Sequence, residues 1–208
     1  MSEAIFGFIG VLVGSLIPWV REWLNENRLR EKHAAYLAVQ IICVLDEYIG
    51  KCCEVAGDDG TSMGQPAGRT KDGEAYYDPQ VLPPKPPCYP DDVDWKSIDN
   101  NLMYRLLALP NNARKTDLYI DASSEHAFPP DYKEFFEARW EGYVNLGLEA
   151  IKLKEELRKK YGLPEEKLEL NPNWNAKQHL EAQRDKVKKI RTQRAAAFQN
   201  MTKKIGTK

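Results

Sequence analysis

The sequence predicts an all-α protein: an N-terminal transmembrane helix, a helical cytoplasmic bundle with a long Gly/Pro-rich loop, and a basic C-terminal helix. Three observations predict it. Residues Ala4 to Val20 (AIFGFIGVLVGSLIPWV) carry no charge, and apolar residues recur at three- and four-residue intervals through much of the remaining chain. The third is a charge asymmetry. Arg184 to Lys208 holds nine basic residues and one acid, so with a net charge of −1 the remainder carries about −9. A length of 208 residues suits one domain with appendages, and 42% hydrophobic with 29% charged residues is the composition of a folded chain. The expected divisions are an anchor over 1–22, a helical domain over 23–164 with irregular chain at 57–90, and a basic tail over 165–208.

Seventeen uncharged residues at about 1.5 Å each span roughly 26 Å, slightly less than a hydrocarbon core. Trp19 and Trp23 supply an interfacial belt, and the stem of Arg21 reaches toward the headgroups. The start Ser2-Glu3 and the exit Pro18-Trp19-Val20-Arg21 lack the marks of a cleaved signal peptide. A buried core helix is the alternative. Basic residues follow the span at Arg21, Arg28, Arg30 and Lys32 and none precede it, so the N-terminus is expected outside and the domain in the cytoplasm. Gly7, Gly10 and Gly14 form a small-residue stripe through which two such helices could self-associate.

From Arg21 helix formers continue to about Cys53. The stretch REWLNENRLREKH reads as a solvated stalk, and Leu37, Ile41, Val44 and Tyr48 then line one face. Packing within the chain is the expectation for that face, with a coiled coil to a second copy as the alternative. Glycines and prolines at 57–90 forbid regular helix and favour extended or polyproline segments. GDDGTSMGQPAG looks superficially like a phosphate loop but lacks the Gly-Lys-Ser/Thr that would hold phosphate and magnesium. PKPP around Lys85 is a candidate for an aromatic groove, against the plainer reading of a loop laid on the protein's own surface.

Asp94 is expected to cap a helix lined by Ile98, Leu102, Leu106 and Leu109 and stopped by Pro110, with another helix from about Asn112 to Ser123. The acids Asp91, Asp92 and Asp94 do not match a calcium loop. Asp131 with Glu134 resembles a capping box for a helix to Tyr161, whose stripe includes Phe136, Trp140, Tyr143, Gly147 and Leu157. Gly162, Leu163 and Pro164 should terminate it. The tail, from about Asn175 to Lys204, is read as a helix with a thin apolar seam at Leu180, Val187 and Ile190. Its Arg184, Lys186, Lys188, Lys189, Arg191 and Arg194 are the candidate contacts to anionic lipid, with nucleic acid as a weaker alternative and a purely solvated helix as the plain one.

No catalytic, cofactor or metal constellation emerges. His33, His126 and His179 stand apart, and Glu125-His126 is the only pair that invites acid–base chemistry. Cys43, Cys52, Cys53 and Cys88 read as reduced thiols.

The runs DDVDWKSIDNNLMYRLLALP and PPDYKEFFEARWEGYVNLGLEAIKLKEELRKKYGLP resemble an uncharacterised group of bacterial proteins with a short membrane anchor, a helical cytoplasmic domain and the same GDDG loop. The resemblance runs from the anchor to Pro164 and carries no activity. The combined expectation is a single-pass protein of the bacterial inner membrane, without cofactor or enzymatic activity. It would act in interaction or as a scaffold, through self-association or a membrane-associated partner. The alternative is a holin-like or toxin-type effector that oligomerises in the bilayer.

Overall fold

Helix α1 (Ser2–Gly57) is a single element that crosses the expected boundaries between anchor, stalk and domain. The computed structural model describes residues 2–91, 93–128, 132–164 and 174–205, with side chains for 18–91, 93–128, 132–164, 174–196 and 199. Three more helices follow: α2 (Asn100–Glu125), α3 (Lys133–Lys160) and α4 (Ala176–Ile205). The chain is mostly helical, as expected.

Helix α3 is the axis of the bundle, packing against α1, α2 and α4. Three contacts give its direction relative to α1: Lys154 pairs with Asp46, Gly147 faces Cys52, and Arg139 pairs with Asp58. The two helices are therefore antiparallel. Helix α2 also runs against α3, since Asp99 N–H donates to Tyr161 Oη at 3.0 Å while Tyr143 Oη donates to Asp117 at 2.5 Å. Helix α4 does the same, from Lys177–Glu155 to Arg194–Glu137. So α1, α2 and α4 all point one way around one antiparallel helix. Close approach is possible because α3 carries glycine at two crossings. A Cβ on Gly142 would lie 2.4 Å from Thr116 Cγ2 of α2, and one on Gly147 would lie 2.7 Å from Leu180 of α4.

The stripe expected on α1 is core: Leu37, Ile41 and Tyr48 are buried, with Leu45, Ile49 and Cys52 widening it. It is covered by the chain's own helices, so the coiled-coil reading of this face is corrected. The Gly/Pro-rich chain forms two minimal hairpins, β1 (Thr61–Ser62) with β2 (Gln65–Pro66), and β3 (Gly68–Arg69) with β4 (Ala75–Tyr76). The first turns through Met63 and Gly64, both at positive φ, as a two-residue hairpin of this twist requires. Beyond them the chain is extended to a 3₁₀ turn at Trp95–Ser97.

Asp94 caps only that turn, through Lys96 N–H at 3.2 Å. The long helix starts later. Asp99 accepts from Asn101 N–H at 3.1 Å and Leu102 N–H at 3.3 Å, and the Leu102 bond leads the causes that hold its carboxyl below the usual range.

Pro110 does not stop α2, which continues to Glu125. An interior proline leaves the carbonyl four residues earlier without its N–H donor. That carbonyl belongs to Leu106, and it accepts the Tyr89 hydroxyl at 3.0 Å. The donor comes from 17 residues upstream, where no helical pattern reveals it. Tyr89→Phe is expected to lower the free energy of unfolding by about 1–3 kcal/mol, the cost of a buried group left unbonded. Urea denaturation checks this, and a change below about 0.5 kcal/mol would remove the assigned role of the hydroxyl.

The cap of α3 is Tyr132, at φ 46°, and it makes no side-chain capping bond; Asp131 lies outside the described residues. The other end is as expected. Gly162 is left-handed at φ 61°, and Leu163 N–H donates to Arg158 C=O at 3.0 Å. Among the described residues no helix is long and apolar enough to cross a membrane, and of the expected span at 4–20 only the last three residues have described side chains. None of the four cysteines is disulfide-bonded. Cys52 and Cys53 are buried, whereas Cys43 and Cys88 are exposed.

Candidate functional site: an internal carboxylate and a charged seam

The GDDG stretch closes α1 onto α3. Asp58 accepts from Gly60 N–H at 3.0 Å, Gln80 N–H at 2.9 Å and Val81 N–H at 3.0 Å, and from Arg139 Nη2 at 3.3 Å. Arg139 also donates to Val81 C=O, and Trp140 Nε1 donates to Asp58 C=O at 2.6 Å. The two charged side chains are 2% and 4% exposed. Burial holds the Arg139 guanidinium below its ordinary value, against the opposing pull of Asp58. The arrangement is an anion cradle already filled by the chain's own carboxylate. The backbone N–H groups of Gly60, Gln80 and Val81 that a phosphate would need are thus taken by Asp58. Gly60 must be glycine here: it sits at φ 77°, and a Cβ would lie 2.5 Å from Phe136.

A charged seam joins α3 to α4. Glu134, Glu137 and Glu141 stand at helical spacing on α3. Arg191 pairs with Glu141 at 2.6 Å, and Arg194 meets Glu137 at 2.5 Å and Glu134 at 3.4 Å. Glu137 is buried, and desolvation raises its carboxyl above the usual range despite Arg194. Lys186 stands 5.5 Å over the Trp140 ring. A cleft of about 690 Å³ opens beside the seam, with Tyr119, Ser123 and His126 of the α2 end as its other wall. Its arginines and glutamates pair with one another, and the histidine that lines it from the α2 end is His126. Its N–H donates to Ser123 C=O as the cap of α2. The described residues contain no group of three potential metal ligands, and Asp92 lies outside them.

The residues singled out in the sequence are thus dispersed. Gly7, Gly10 and Gly14 lie among residues whose side chains are not described. Trp19, Arg21 and Trp23 stand on α1 where no described residue covers them, the tryptophans 67% and 54% exposed. Of the six basic residues expected on lipid, Arg191 and Arg194 are taken up by α3, Lys186 covers Trp140, and Arg184 lies 3.9 Å from Asp185. Lys188 and Lys189 face solvent. Sequence reasoning misses the Asp58–Arg139 pair because 81 positions separate the two residues and nothing local to either points to the other.

The fold defines a helical bundle from which one long N-terminal helix extends. No protein family, curated protein or solved structure matches the chain.

Proposed function

We propose that the chain is a membrane-anchored, non-enzymatic interaction or scaffold protein, with α1 as anchor, spacer and core element in one. The observation that carries it is the division of labour along α1. From residue 34 the helix supplies the core, whereas nearly every residue from 18 to 33 is exposed on all sides of the helix. A bare helix of that length is marginal in water without something to stabilise its end. Exposed Trp19, Val20, Trp23 and Leu24 sit where an apolar segment meets charged chain, as interfacial residues do. A bilayer holding residues 4–20 would satisfy both.

Direction then bears on the tail. Because α4 runs parallel to α1, its basic residues lie level with Gly57, about 57 Å of helix beyond Trp19. Attraction to a charged membrane fades within a Debye length of about 8 Å. In an upright protein the tail therefore serves the bundle or a distal partner rather than the anchoring bilayer.

The anchor is tested by washing membranes that contain the full chain with alkaline carbonate. Retention is expected, with Cys43 and Cys88 reached by an impermeant thiol reagent only after permeabilisation. Release by the wash would overturn the anchor, and labelling in intact cells would reverse the orientation. Self-association through Gly7, Gly10 and Gly14 predicts a smaller particle in detergent for a Gly10→Ile, Gly14→Ile variant.

A further inference from the structure

We propose that residues 81–88 form a pre-ordered polyproline ligand that docks in the aromatic groove of a partner protein. Its sequence is Val-Leu-Pro-Pro-Lys-Pro-Pro-Cys. Every residue from Leu82 to Pro87 is a proline or precedes one. Proline fixes φ near −65° and drives the preceding residue to extended backbone, so the whole run is confined to a polyproline helix of three residues per turn. Both ends are clamped. Val81 is held by Asp58 and Arg139, and Tyr89 by the Leu106 carbonyl and an edge-on contact with Trp95 at 5.4 Å.

Burial follows the three-residue period. Val81 and Pro84 are half-buried and Pro87 is buried, so one edge lies on the bundle. The other two edges face outward, with Pro86 half-covered and Pro83, Lys85 and Cys88 exposed. Leu82 is 85% exposed, and among the described large hydrophobic residues only Met63 is more so. A loop serving only to cover the bundle would turn its largest apolar side chain inward. Instead two dipeptides, Leu82-Pro83 and Lys85-Pro86, stand one turn apart, about 9 Å. Grooves between parallel aromatic side chains recognise that spacing of x-Pro pairs. Lys85 selects a groove with an acidic flank, and the clamped ends reduce the ordering entropy that binding would otherwise cost.

The test titrates the intact protein into a ¹⁵N-labelled SH3 domain whose groove takes paired x-Pro dipeptides and carries an acidic flank. Saturable shifts at the groove indole and its neighbours are expected. A Leu82→Ala, Pro83→Ala variant should bind at least tenfold more weakly, and Lys85→Glu should also weaken binding. Met63→Ala, on the neighbouring hairpin, should bind as the parent does. Both altered positions are exposed, and an unchanged circular dichroism melt confirms that the fold is intact. No shift at about 1 mM, where binding would be worth less than about 4 kcal/mol, overturns the proposal. So does equal binding by the double variant, or sedimentation showing that the strap pairs with a second copy instead of the groove.

Discussion

Asp58→Ala is expected to lower the free energy of unfolding by about 3–5 kcal/mol, the largest effect of any single substitution considered for this chain. The change removes the partner of a guanidinium that is 4% exposed and strands the N–H groups of Gly60, Gln80 and Val81. Breaking a buried pair costs more than the pair itself contributes, because one charge stays desolvated. Replacing both residues, Asp58→Leu with Arg139→Met, should therefore recover part of the loss. Guanidinium denaturation of the three proteins gives the comparison. A loss below about 1 kcal/mol for Asp58→Ala would mean that water reaches Arg139 and that the cradle is not closed. Hydrogen exchange should locate the damage at 58–90, the chain that the carboxylate gathers onto α3.

Leu180→Ala is expected to cost about 2–5 kcal/mol, as for other fully buried leucines. Leu180 is 0% exposed and lies where Gly147 lets α4 approach α3 and Cys52 of α1. Arg194→Ala should cost far less, about 1 kcal/mol at most, because its side chain is 42% exposed and its attraction to Glu134 and Glu137 is screened. Thermal melts of both variants at low and high salt separate the contributions. The arginine effect should shrink with salt and the leucine effect should persist. Were α4 a solvated appendage, Leu180→Ala would stay within about 0.5 kcal/mol of the parent, and α4 would have to be removed from the core.

The basic tail marks the limit of what periodicity reveals. Its charge is evident in the sequence, and so is the seam of Leu180 and Val187. Which acids its arginines meet is not, because Glu141 and Glu137 lie 50 and 57 residues away. Periodicity reports a face, and it does not report the neighbour of that face.

Local chemistry alone determined the helical character of the chain, the core stripe of α1, the irregularity of 57–90 and the stop after Tyr161. Each rests on interactions within a few residues, such as the left-handed Gly162 and the Leu163 bond to Arg158. Tertiary contact decided the rest. Pro110 stays inside α2 because Tyr89 supplies the missing donor, and Asp99 rather than Asp94 opens the helix because Asp99 lies where its N–H also reaches Tyr161. The buried Asp58–Arg139 pair joins residues with no local reason to be charged and inside. Short-range propensities are summed along the backbone and can be read there, whereas a buried polar group is tolerable only with its partner in place, and only the folded chain brings that partner to it.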